Sequence, residues 1–204
     1  MKLFGTYLSP FTRRVAVALT SRAVPYDHDD LNGYADPARA RALNPVGKVP
    51  VLVLDDGEHL IDSGAMLDYL DEQFGPDRAL VPRSGPERRT ALRLAAIAVT
   101  IYEQSTARYF EERRPRGCAQ ADLLERYRLQ TVGGLKALDA ASRVEGPIGG
   151  KPLGIATISA VVAYDYARMM HPDLDLAAIA PALTAVAAAL ADEPAFSLTR
   201  PPVG

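Results

Sequence analysis

The sequence predicts an α/β N-terminal domain followed by an all-α domain, and three observations predict it. Over the first eighty residues the apolar spacing alternates between the two-residue period of strands and the longer period of helices. From Gly75 to Pro86 the chain is rich in Pro, Gly and charge and reads as a linker. Beyond it, every periodic segment is helical. These observations divide the chain into residues 1–78, a linker over 79–86 and a helical bundle over 87–204.

Lys2 to Tyr7 reads as a strand, and from Arg13 onward Val15, Ala18 and Leu19 recur at helical spacing. Ser9 stands at the mouth of that helix. Pro10 occupies its first position, where a missing N–H costs nothing. Val24 to Asp29 suggests a second strand. Asp36 and Pro37 open a short helix that stops at Asn44-Pro45. Val49 to Leu54 is β-rich, Asp55-Asp56-Gly57 reads as a hairpin turn, and His59-Leu60-Ile61 as the returning strand. From Ser63, the set Met66, Leu67, Leu70 and Phe74 describes a helix ending near Gly75-Pro76. The order β-α-β-α-β-β-α implies a mixed sheet with helices against it. Four further helices follow: Glu87 to Arg114, Ala119 to Arg143, Ile155 to Met170, and Leu176 to Ala191 with Pro181 interrupting it. Gly133 and Gly134 either kink the second of these or admit a close neighbour. The third is strongly apolar, which predicts a central position. The Pro-rich tail from Pro194 is expected to wrap the surface.

A net charge of −2 over 204 residues exerts no general pull toward nucleic acid or an anionic membrane. The single cysteine, Cys118, rules out an intrachain disulfide framework and is expected to be a small buried hydrophobe. His28, His59 and His171 are scattered, with no ligand spacing that suits a metal. No stretch is long and apolar enough to span a bilayer, and the chain begins directly on a strand. The expectation is a soluble cytoplasmic protein with no metal, no nucleic-acid partner and no membrane partner.

Four features carry chemistry. Ser9, in Ser9-Pro10-Phe11-Thr12, can cap its helix, or it can face outward and serve a negatively charged sulfur. Asn44-Pro45-Val46-Gly47-Lys48-Val49-Pro50-Val51-Leu52 forces Val49 into an extended conformation. Its N–H and C=O could then pair with an extended peptide, because Pro50 offers no N–H to a neighbouring strand. Asp62-Ser63 opens the next helix. Ser63 is a reasonable N-cap there, and the helix N-terminus also suits a carboxylate. Lys48 supplies a cation one step before Val49.

Together, the strand-Ser-Pro-Phe-helix, the Asn-Pro-Val-Gly-Lys-Val-Pro-Val-Leu run, Asp-Ser-Gly-Ala-Met-Leu-Asp-Tyr-Leu and the helical half resemble the glutathione S-transferase family, most closely its serine-type members. The resemblance implies a thioredoxin-like N-terminal domain that binds glutathione, an all-helical C-terminal domain with a pocket for a small hydrophobic electrophile, and a homodimer. It implies that Ser9 activates the thiol and that Phe11 lies in the glutathione site. It implies also that Val49, before a cis Pro50, pairs with the cysteinyl backbone and that Lys48 meets the glycyl carboxylate. Asp62 would take the γ-glutamyl ammonium and Ser63 the γ-glutamyl carboxylate. The magnitudes agree. Lowering a thiol pKa by about two units requires roughly 2.7 kcal/mol, and one charge-assisted hydrogen bond contributes about 1.5–3 kcal/mol.

Departures from the family pattern are informative. Glu is usual at the position of Asp62. In the third C-terminal helix, Gly154 and Thr157 stand where a capping box is usual, and the chain has no tryptophan. Hydroxyls at both Ser9 and Thr12 argue against disulfide exchange. Tyr7, at the end of the first strand, is the rival activator. The Ser-Ser-Cys signature of maleylacetoacetate-type isomerases is missing. Glutathione-dependent isomerisation or dehalogenation, and a non-catalytic glutathione-binding role, stand as alternatives. For the electrophile pocket the candidates are Tyr102, Arg108, Tyr109, Tyr164 and Arg168.

Overall fold

The strands are short: β1 (Lys2–Phe4), β2 (Asp27–Asp29), β3 (Val51–Val53) and β4 (His59–Ile61). They form one sheet in the order β2-β1-β3-β4, with β1 parallel to β2 and antiparallel to β3, and β3 antiparallel to β4. The computed structural model describes residues 1–143 and 146–202. The chain forms two units, Met1–Arg83 with the segment from Ala191 onward, and Ser84–Leu190.

In the first unit, helices α1 (Pro10–Ser21), α2 (Pro37–Leu43) and α3 (Ser63–Phe74) follow the expected β-α-β-α-β-β-α order. β1 stops at Phe4, short of the expected Tyr7, because Gly5 adopts φ +142. A Cβ at Gly5 would collide with the Thr12 side chain, so only glycine fits there. One face of the sheet buries Phe4 and Val51 against Leu31 and Ala40, with Leu43, Val49, Val53 and Ile61 around them. Leu3 and Leu52, partners in register, alternate to the opposite face, and α1 packs on α3.

The tail corrects an expectation. It does not merely wrap the surface. Pro194–Ser197 forms a helical turn, α9, that packs on α1, with Phe196 1% exposed. Arg13 Nε donates to the Thr199 carbonyl at 3.0 Å. Ala195 and Phe196 of the tail are therefore core, whereas Leu198 is exposed.

In the second unit, α4 (Gly85–Glu112) packs along both α5 (Ala121–Ala141) and α6 (Ile155–Met170). As its apolar sequence predicts, α6 is buried almost continuously from Ile155 to Tyr164. Pro181 splits the last predicted helix into α7 (Leu176–Ile179) and α8 (Pro181–Leu190). Gly134 admits a close neighbour: a Cβ there would stand 2.8 Å from Ile101 Cγ1 of α4. Cys118 is exposed in the α4–α5 loop, contrary to the expectation of burial. Among the described residues no helix is long and apolar enough to cross a membrane.

Candidate functional site

The sheet register brings three loops to one edge. Phe4 pairs with Val51, and Val51 pairs with Ile61. Because β1 and β4 both run antiparallel to β3, the residues just beyond that row lie together: Gly5 to Ser9, Val49-Pro50 and Asp62-Ser63. Each belongs to a different loop, and only the strand pairing makes them neighbours.

Ser9 is the N-cap of α1, in extended conformation, with Pro10 following. Its Oγ accepts the Thr12 N–H at 3.4 Å, which is long for such a bond. Phe11, half-buried, is in the first turn of the same helix. Buried Asn44 holds the second loop: its Nδ2 donates to the Lys48 carbonyl at 2.8 Å and its Oδ1 accepts from Val46 N at 3.0 Å. Lys48 is exposed, Val49 half-buried and Pro50 buried. The Val49–Pro50 peptide is cis. Among the described residues the Val49 N–H and C=O make no hydrogen bond. The Val49 backbone edge thus stands open between two helix N-termini.

At the third loop the cap is Asp62, one residue earlier than the Ser63 the sequence suggests. Its Oδ1 accepts from Gly64 N at 2.7 Å, and its backbone has φ +68, a left-handed value unusual for a residue with a side chain. Ser63 is therefore the first residue inside α3 and is buried. Its Oγ accepts from Arg14 Nε of α1 at 3.0 Å. Among the described residues, the N–H groups of Ser63 and Ala65 have no partner, which leaves donors at this terminus.

Tyr7 is directed elsewhere. Its ring stacks on His28 with centroids 4.0 Å apart, and its hydroxyl meets Tyr26 Oη at 2.9 Å. Both partners belong to the β2 side of β1, whereas Val49 and Asp62 border β3 and β4. Burial, the hydrogen bond with Tyr26 and the nearby Asp30 charge hold its phenol above the ordinary tyrosine range. That opposes ionisation.

The candidates for an electrophile pocket all lie in the second unit. Tyr102 is a core residue: it is fully buried, and its hydroxyl donates to the Ser159 carbonyl at 2.7 Å. Tyr164 is likewise buried. Arg108 is tied to Glu112 at 2.7 Å, Asp173 at 2.9 Å and His171 Nδ1 at 2.9 Å. Tyr109 lies edge-on to Phe110, under the Arg113 guanidinium at 3.4 Å. Arg168 is exposed and pairs with Asp165 at 3.5 Å. Long amphipathic helices bury one stripe, and sequence spacing alone did not tell which tyrosines fall on it.

Arg14 and Asn44 were missed as site residues. For Arg14 the available signal was a charged pair, Arg13-Arg14, inside an otherwise apolar helix. Asn44 was read as a helix stop and as the first residue of the run to Leu52, with no role of its own, although an Asn before Pro also suits a side-chain-to-backbone turn.

Comparison with known proteins agrees with this geometry. Residues 3–78 match the family described as glutathione S-transferase, N-terminal domain. A solved glutathione transferase family member from Pseudomonas fluorescens Pf-5, with bound glutathione, is 33% identical with a TM-score of 0.88, each chain covered to 99%. The uncharacterized GST-like protein YibF of Escherichia coli is 29% identical over 99% of both chains. The maleylacetoacetate isomerase of Pseudomonas aeruginosa is 39% identical over 104 residues, 48% of each chain. The open Val49 edge, flanked by two helix N-termini on a β2-β1-β3-β4 sheet, is thus a feature of a chain that belongs to the glutathione S-transferase family.

Proposed function

We propose that the protein binds glutathione on its first unit and holds the thiol as thiolate for attack on a small hydrophobic electrophile. The observation that carries this reading is the open Val49 backbone edge between the N-termini of α1 and α3. Glutathione is a peptide with two carboxylates, an ammonium and a thiol. An unpaired backbone edge suits its backbone, and helix N-termini suit its anions. Ser9 Oγ, which accepts one long bond from Thr12 N, supplies an O–H for the sulfur. Exposed Lys48 suits the glycyl carboxylate, and Asp62 the γ-glutamyl ammonium. Asp62 reaches one methylene less far than the Glu usual in the family. Its contact with the ammonium is therefore longer or bridged by water.

Glutathione-dependent isomerisation is a second reading, favoured by the identity to the Pseudomonas aeruginosa isomerase over 48% of the chain. Both readings share the thiolate and differ in the second substrate. We infer a homodimer and a cytoplasmic protein from the family resemblance. Light scattering tests the first of these.

The functional test is direct. The purified protein should be retained on immobilised glutathione, and millimolar glutathione should raise its melting temperature. Failure of both sinks the proposal. Binding with no ionisation of the bound thiol near neutral pH supports a non-catalytic binding role instead. Turnover of model electrophiles against maleylacetoacetate-type substrates separates conjugation from isomerisation.

A further inference from the structure

We propose that Arg14 is a positioning residue for the γ-glutamyl α-carboxylate of glutathione, acting through Ser63 beneath the first turn of α3. The inference rests on the reading that glutathione occupies this site. It begins with a buried cation. Arg14 is 5% exposed, and burying a guanidinium is costly unless hydrogen bonds and charge compensate it. Its Nε donates to Ser63 Oγ at 3.0 Å. Its Nη2 lies 3.6 Å from where a Cβ on Gly64 would stand. The guanidinium therefore reaches from α1 to the first two residues of α3.

Two consequences follow for an anion at that terminus. The first concerns the proton of Ser63. A hydroxyl has one proton and two lone pairs, and the Arg14 N–H uses a lone pair. Among the described residues Ser63 Oγ donates to no acceptor, so its O–H remains for the ligand. A charged donor on the oxygen also polarises that O–H and strengthens the bond it gives. The second concerns charge. The N-terminus of α3 has a partial positive charge from its free N–H groups, and Arg14 adds a full one on the protein side of the same turn. Arginine suits this role better than lysine because its planar fork fixes the direction of Nε.

The test compares two ligands by calorimetry: glutathione, and 4-aminobutanoyl-cysteinylglycine, which keeps the ammonium and lacks the α-carboxylate. Wild-type protein should prefer glutathione. In Arg14→Gln and in Ser63→Ala that preference should shrink about tenfold. Arg14→Lys should restore part of it. The pH at which the bound thiol ionises should not move in any variant, because Ser9 is intact. In a Ser63→Ala background the further change Arg14→Lys should have no effect on the preference. If Arg14→Gln does not fold, Arg14→Lys alone and combined with Ser63→Ala decide the matter. An undiminished preference in folded Arg14 variants, or equal effects of Arg14→Lys with and without the Ser63 hydroxyl, overturns the inference and leaves the glutathione reading standing. Failure of wild-type protein to bind either ligand overturns the glutathione reading itself.

Discussion

At position 9, capping and thiol activation are compatible. Accepting the Thr12 N–H uses one lone pair of Ser9 Oγ and leaves its proton to donate. Ser9→Ala should therefore cost at most about 1 kcal/mol of stability. The same change should raise the pH at which bound glutathione ionises by about one to two units, read by thiolate absorbance. An unmoved titration would transfer the role to backbone N–H groups, since Tyr7 faces β2. A second residue sets a pH dependence. His171 is 1% exposed and accepts from Arg108 through Nδ1, which places its proton on Nε2. Burial and the adjacent Arg108 charge lower its pKa to about 4. In the unfolded chain it titrates near 6.5, so as pH falls the unfolded state binds the proton first. Its contribution to stability is complete above about pH 6.5 and is lost as pH falls through about 4. Between pH 7 and 5, His171→Asn should lose less stability than wild type in urea titrations. Parallel pH profiles would refute the assignment. The partner of His171 could not be read from the chain, because Arg108 lies 63 residues away on another helix.

Among the elements, the seam between α4 and α5 depends on Gly134. A Cβ there would stand 2.8 Å from Ile101 Cγ1 and 3.0 Å from its Cδ1. Helix propensity favours alanine by about 1 kcal/mol, whereas overpacking costs about 1–3 kcal/mol. Gly134→Ala should therefore destabilise the protein slightly to moderately, and Ile101→Val should recover part of the loss in a double-mutant cycle. A stabilised Gly134→Ala would show that the seam can open. The sequence flagged this glycine and left its meaning undecided between kink and close packing. Helix ends show the same limit. The capping box of α6 is missing, and Thr157 serves the preceding loop instead: its Oγ1 accepts from Gly149 N at 3.0 Å, while Gly154 is the N-cap with no side-chain bond. Asp139 of α5 caps α8, accepting from Ala182 N at 2.7 Å and Leu183 N at 3.1 Å. The first is a local signal used unconventionally. The second spans 43 residues and has no local signal at all.

For the whole molecule, the C-terminal tail matters most. Phe196, 1% exposed, sits in the turn that packs on α1, the helix that presents both Ser9 and Arg14. Phe196→Ala should cost about 3–5 kcal/mol, measured by denaturant unfolding. Truncation after Leu190 should cost more and weaken glutathione binding. A truncated chain that binds as well as wild type would show that α1 is held by the sheet and α3 alone. Sequence by itself determined the element order, the mixed sheet with helices, the all-α second half and the residue types at the three loops. Those follow from period, proline and glycine placement and side-chain chemistry, which are properties of neighbours along the chain. Only the tertiary structure decided which unit the tail joins, that Tyr102 and Tyr164 are core, that Cys118 is exposed and that Arg14 lies under α3. Each of these is set by strand register and helix packing between residues far apart in sequence, and such contacts leave no periodic trace in the chain.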